Sequence, residues 1–268
     1  MNRILLFVFL SFVFLFTACK SETVWEDEDK DIEKLEIKWK SYNFQDFQFV
    51  DLAPETQGSK IYHGIIKNPS LFIRQNAIRV LETLYYSPLD SIPERENIHY
   101  SLSNFSGITE KTGESKTIAI RLSTQWIEKT FSPNDSTASF IEMKGLLLHQ
   151  LTYAYLFNPV GCGTYLDNKD YRAYVEGLGD AVRILNGGFH DSKPKEGGSY
   201  YSGYRTTGYF YCWLVKNKDS DFIKKLNKTA VNINPWSTEK AFRQIFGPNE
   251  KFTVENLWNE YQKDLNFF

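Results

Sequence analysis

No charge of one sign dominates this 268-residue chain: 31 Lys and Arg face 33 Asp and Glu, a formal net charge of −2. A broad basic surface for a phosphate backbone is therefore missing, which excludes nucleic acid as a partner. Long hydrophobic runs are missing as well. The longest, Ile4 to Phe16, broken only by Ser11, falls short of the roughly 20 residues a membrane-crossing helix needs. No internal repeat is visible. Cysteine is scarce, with three in all, so the chain can close one internal bridge at most. Aromatic residues, by contrast, are abundant at 16%, with 16 Tyr, 21 Phe and 6 Trp. With 42% hydrophobic and 24% charged residues the chain can bury a real core, which excludes disorder as a global description. The aromatics suit either a stiff core or a stacking surface, and composition does not choose.

The first residues read as an address and not as fold. A short basic start, Asn2-Arg3, leads into the apolar run, which ends Phe16-Thr17-Ala18-Cys19. This ending resembles the bacterial lipobox, in which a small residue precedes a cysteine that is lipidated and becomes the mature N-terminus; Phe16 stands where leucine is usual. An ordinary signal peptide with an incidental cysteine is the alternative. The resemblance implies a signal peptide over 1–18 and a lipid on Cys19, holding the protein to a membrane of the cell envelope, facing the periplasm or the exterior. Removing 1–18 takes away one arginine and no acid, so the charge moves only from −2 to −3. Residues 19–43 are rich in charge, with Glu26-Asp27-Glu28-Asp29-Lys30-Asp31 at their centre, and read as a self-repelling tether or as the start of a solvated helix. Export leaves Cys162 and Cys212 as a pair that an oxidising compartment permits to bridge. Their flanks argue against it, because Cys212 lies in Phe210-Tyr211-Cys212-Trp213-Leu214, a buried-helix pattern in which a small apolar cysteine is at home.

Residues 44–268 read as one folded unit. Alternation marks strands at Phe47–Asp51, Asn97–Phe105 and Lys116–Ser123, and a helix opens at Pro69-Ser70 and runs until Ser87-Pro88 stops it. From Ser139 the period changes to 3.6. Helices are expected at Phe140–Phe157, Tyr171–Leu185, Tyr201–Lys216, Asp221–Asn227, Thr238–Phe246 and Val254–Leu265, with Asn158-Pro159, Asn186-Gly187-Gly188 and Phe246-Gly247-Pro248 as stops. A strand-bearing half that leads into a helical half predicts one α+β body with two lobes.

Chemistry is concentrated on two of these helices. His149 stands alone in the apolar run Leu146-Leu147-Leu148-His149-Gln150-Leu151-Thr152-Tyr153, with Tyr153 one turn on and so on the same face. By itself such a histidine is as well explained by core packing. The next helix carries Glu176, Asp180 and Arg183 on one stripe of an otherwise apolar segment, and a buried polar stripe needs partners. Glu176 facing His149 across a helix pair, with Asp180 and Arg183 neutralising each other and Gly177 and Gly179 allowing close approach, would satisfy it. A structural ion network would look the same.

The order Gly145-Leu146-Leu147-Leu148-His149-Gln150-Leu151-Thr152-Tyr153, then Val175-Glu176-Gly177-Leu178-Gly179-Asp180-Ala181-Val182-Arg183, is similar to the basic secretory protein family of zincin-type zinc metallopeptidases. Gly203-Tyr204-Arg205-Thr206-Thr207-Gly208-Tyr209-Phe210, Asp221 to Asn227 and Leu257-Trp258-Asn259-Glu260-Tyr261 follow in that family's order. The resemblance, from about Phe47 to Tyr261, implies a zincin-like fold: a strand-containing first lobe, an active-site helix and a helical second lobe that supplies a third metal ligand. In such sites His-Glu-x-x-His puts two imidazoles on zinc with the glutamate as general base, and a later carboxylate completes the set. It maps His149 onto the first ligand, Glu176 onto the carboxylate ligand and Asp180 onto the group that orients a ligand imidazole. Two positions depart: Gln150 stands in place of the general base and Tyr153 in place of the second histidine.

A glutamine can position a water but cannot take its proton, and the loss of general-base help costs about 10²–10⁴ in rate. A phenol, with a reference pKa near 10, must ionise before it binds zinc well, and His149 with Glu176 alone is one protein ligand short. Of the remaining histidines, His63, His99 and His190, the last two do not lie at ligand spacing from His149. The cleft can outlive its chemistry, since Lys116–Ser123 lies where zincin folds present an edge strand to extended peptides. Tyr200, Tyr201, Tyr204 and Tyr209, set among glycines, suit stacking on sugars or peptides, or packing between close helices. Three functional readings follow. The main one is an envelope lipoprotein with a degenerate peptidase site that binds a peptide or glycan and carries no cofactor. The second is a zinc peptidase with an altered ligand set. The third is a structural subunit of an envelope assembly whose cleft is filled by its own side chains, as Tyr153 in the metal cavity would favour.

Overall fold

The computed structural model describes residues 31–265 except 45, 114, 115 and 133. The signal peptide, Cys19 and the acidic stretch up to Lys30 lie outside the described residues. Residues 31–38 are helical (α1). Trp39 follows, fully buried, its indole N–H donating to Glu82 at 2.8 Å, so residues 31–44 lie against the body and not away from it.

Four strands make one sheet: β1 (Asp46–Asp51), β2 (Asn97–Ser103), β3 (Thr109–Thr112) and β4 (Thr117–Ser123), in the order β1-β2-β4-β3. β1, β2 and β4 are parallel, so the chain must cross over between β1 and β2, and it does so through α2 (Gln57–Ile65) and α3 (Pro69–Leu84). Pro69 opens α3 where its missing N–H costs nothing, and the Asn68 side chain caps the Leu71 amide. In register, Ile98, Tyr100 and Leu102 of β2 lie beside Ile118, Ile120 and Leu122 of β4, all buried on one face, while His99, Ser101, Ala119 and Arg121 on the other are half-buried.

The strand expected at the edge is interior. β4 is held on both sides, parallel to β2 and antiparallel to β3, and the edge is the short β3. Its sequence, Thr-Glu-Lys-Thr, is polar throughout and has no alternation to betray it, as suits a strand with one side in water. Gly113 makes the turn back into β4 at φ +85°, where an added Cβ would lie 2.4 Å from the Thr117 carbonyl oxygen.

Seven helices complete the described body: α4 (Thr124–Thr130), α5 (Ser136–Tyr155), α6 (Lys169–Leu185), α7 (Tyr204–Asn217), α8 (Phe222–Asn232), α9 (Thr238–Phe246) and α10 (Val254–Leu265). The expected strand-bearing first lobe and helical second lobe are both present, and the fold is α+β. α5 is buried along most of its length, as an apolar helix must be. It approaches α6 closely because neither side chain nor Cβ stands between them at two points: a Cβ on Gly145 would lie 1.8 Å from the Gly188 carbonyl oxygen, and one on Gly179 would lie 2.8 Å from the His149 ring. Part of the aromatic excess is spent in the helical half of the core, where Phe210, Phe222, Phe242, Trp258 and Tyr261 pack at ring-centroid distances of 5.2 to 6.1 Å. Both described cysteines are free, and Cys212 on α7 gives its thiol to the Ala181 carbonyl in the seam with α6.

Candidate functional site

α5, α6 and the edge strand β3 enclose a cleft of about 1500 Å³. His149, Tyr153, Glu176 and Asp180 meet in its wall as one hydrogen-bonded network. His149 Nδ1 lies 2.7 Å from Asp180 Oδ1, and its Nε2 meets the Tyr153 hydroxyl. That hydroxyl donates to Glu176 Oε2 at 2.5 Å, and the Tyr165 hydroxyl donates to Glu176 Oε1. Nε2 and Glu176 Oε2 are themselves 3.5 Å apart, with the phenol oxygen between them.

With the Tyr153 hydroxyl donating to Glu176 and Asp180 beside Nδ1, two carboxylates flank the imidazole and favour its protonated form. Burial pulls its pKa down, but hydrogen bonds to Asp180 and Glu176 and their charges outweigh that, and the pKa lies above the ordinary value. For Glu176, burial raises the pKa and the bonds from His149, Tyr153 and Tyr165 lower it further, leaving it below the ordinary carboxylate value. Burial, then the neighbouring Glu176 charge, push the Tyr153 phenol far above its usual value.

Zinc does not fit these residues as they stand. It needs three protein ligands at about 2.0–2.2 Å, whereas here the phenol that stands for the third ligand lies between His149 and Glu176 and resists ionisation. Among the described residues no three His, Cys, Asp or Glu side chains converge as a metal site. His63 on α2 pairs with Asp51 at the end of β1, His99 lies in β2, and His190 lines the cleft between Asp135 and Asp191.

Gln150, in the general-base position, faces β3. Its amide donates to Thr109 Oγ1 at 2.8 Å, while its buried Oε1 has no partner among the described residues. The expected pairing of Asp180 with Arg183 is not made. Arg183 reaches instead across to Glu142 on α5 at 2.6 Å and to the Gly188 carbonyl at 2.7 Å, which leaves Asp180 to His149. Glu142 lies seven residues before His149, two turns along one face, a spacing that could have revealed it. Tyr165, in the loop before α6, carried no periodic signal.

The four clustered tyrosines divide. Tyr200 packs at a tilt against Tyr201 and donates to Glu255, Tyr201 lies under Lys169, and Tyr209 is half-buried. Tyr204 alone stands over the cleft, 55% exposed, its ring parallel to that of His149 at 6.3 Å. Its φ of +44° makes it the one non-glycine residue in the left-handed region among the described residues, directly after Gly203 at φ +72°. That conformation costs a side-chain-bearing residue roughly 1–2 kcal/mol.

A helix carrying His149, a carboxylate from the following helix and an antiparallel edge strand over the cleft together make the frame of a metallopeptidase-like fold. A family model described as BSP, peptidase of plants and bacteria, matches residues 44–261, and the chain belongs to that family, the basic secretory proteins. Among curated proteins none matches the chain. Among the described residues no helix is long and apolar enough to cross a membrane.

Proposed function

We infer that this protein is a lipid-anchored protein of the bacterial cell envelope that holds peptides in a peptidase-like cleft without cutting them. One observation carries the inactive half of this reading: the Tyr153 hydroxyl bridges His149 and Glu176, where the family's metal would need both atoms open. Gln150 adds to it, since an amide in that position takes no proton from a water. The binding half is supported by the size of the cleft and by β3, whose outer side has no strand beside it among the described residues and can pair with an extended chain. A cleft of this volume also weighs against the reading in which the protein's own side chains fill it. The anchor rests on Ala18-Cys19.

Metal analysis of the full chain, exposed to zinc and then desalted, beside the Gln150→Glu/Tyr153→His double variant tests the inactive site. The expected result is no retained zinc in the natural chain and near one equivalent in the variant. Near-stoichiometric zinc in the natural chain would overturn the reading and favour a peptidase with an altered ligand set. For the anchor, Cys19→Ser is expected to abolish labelling by radioactive palmitate and to release the protein from the membrane fraction.

A further inference from the structure

The five carboxylates on the cleft wall are all engaged. Asp180 holds His149, Glu176 takes two phenols, Glu142 holds Arg183 and the His190 amide, and Asp135 and Asp191 flank the His190 ring at 3.7 and 3.8 Å. The cations are not so evenly matched. Arg183 is spent on Glu142, and Arg95 donates to the Ala154 carbonyl at 2.6 Å. Arg205, exposed on the first turn of α7, has no hydrogen bond and no ion pair among the described residues. Its guanidinium lies 5.7 Å from the Phe189 ring, on which Arg183 already lies at 3.6 Å.

Beside it stands Tyr204, exposed over His149 in a backbone conformation that glycine would adopt without cost. Strain kept at an exposed aromatic in a cleft, here against His149 and beside Tyr165 and Glu176, is of the kind found at ligand clamps. A lone guanidinium prefers an anion it can grip with two N–H groups. Five carboxylates around the cleft repel a doubly charged phosphate more than a singly charged carboxylate, and Ile108 and Leu146 in the same cleft offer apolar contact.

We propose that Tyr204 and Arg205 form the selective wall of the cleft, Arg205 taking a carboxylate of the bound peptide while Tyr204 covers the residue beside it. The carboxylate is a chain terminus or an Asp or Glu side chain. The proposal rests on the peptide-holding reading above and adds to it a class of ligand and the residue that selects it.

Dye-labelled hexapeptide pools, measured by anisotropy on the full chain in mild detergent, test it. One pool lacks Asp and Glu and ends in a free carboxylate, a second is the same with a C-terminal amide, and two further amidated pools carry Glu or Gln at one fixed inner position. We expect the free-terminus pool or the Glu pool to bind about tenfold more tightly than its neutral counterpart. In Arg205→Gln that difference falls to within about twofold while the neutral pools bind as before, and Arg205→Lys keeps part of it. Tyr204→Asn, at ease in the left-handed conformation, weakens every pool severalfold without lowering the melting temperature. Binding with no preference for acid, or a preference that survives Arg205→Gln, would overturn the proposal and leave the peptide-holding reading standing. If no pool binds the folded natural chain, both fall.

Discussion

At the scale of single residues, Tyr153 decides what the site is. Its hydroxyl answers two buried polar atoms, His149 Nε2 and Glu176 Oε2, and no water-filled space is needed to satisfy them. Tyr153→Phe removes that answer with little change of shape and leaves both atoms underserved at low exposure, which costs about 2 kcal/mol. For a body of this size a melting temperature lower by roughly 4–8 °C is expected, read by calorimetry or circular dichroism. An unchanged melting temperature would mean that the phenol is a bystander. His149, Glu176 and Asp180 were legible in the sequence because polar residues at helical spacing in an apolar run must find one another. The family resemblance sets Asp180 beside an imidazole, where it lies; only its pairing with Arg183 fails, because the arginine's longer side chain reaches Glu142 on α5, a choice that the packing of two helices reveals.

At the scale of elements, the long helices were legible and the short polar pieces were not. α9 and α10 fall at the expected residues, and α5, α6 and α8 differ at their ends by a few, because a 3.6-residue apolar period sustained over several turns has few alternatives. α7 begins three residues later than the pattern suggests, since Gly203 and Tyr204 spend the intervening chain on a left-handed turn. β3 escaped notice, having four polar residues, and with it the identity of the edge strand. The close seam between α5 and α6 yields a test of its own. Gly145→Ala drives a methyl against the Gly188 carbonyl and Arg183 Nε, at 1.8 and 2.3 Å, with backbone on one side that cannot step away. Overpacking of this kind costs about 1–3 kcal/mol, and because the displaced turn carries Arg183, the urea midpoint should fall further than for alanine at the open Gly64, where a Cβ meets nothing within 4 Å.

For the whole molecule, the charged network ties stability to pH in two directions. His149 has its folded pKa raised, so its contribution is complete below its unfolded value near 6.5 and is lost as pH rises through the folded value. Glu176 has its folded pKa lowered, so its contribution is present above its unfolded value near 4.5 and is lost as pH falls through the folded value. Both hold between those limits. Urea midpoints are therefore expected to be highest between about pH 5 and 6.5 and to decline on either side, and His149→Gln should flatten the alkaline decline. A midpoint that climbs steadily from pH 6 to 9 in the natural chain would contradict this account of the network.

The bridging phenol has a further consequence for how such a protein would live. Where an ion joins two helices, the joint is borrowed from the surroundings and can be called back by a chelator or by scarcity. Here the joint is a covalently attached hydroxyl, supplied at synthesis with the chain itself. With no metal in the joint, as proposed, the cleft is expected to present the same surface through metal starvation as in plenty, so that melting in EDTA should trace the same curve as melting without it.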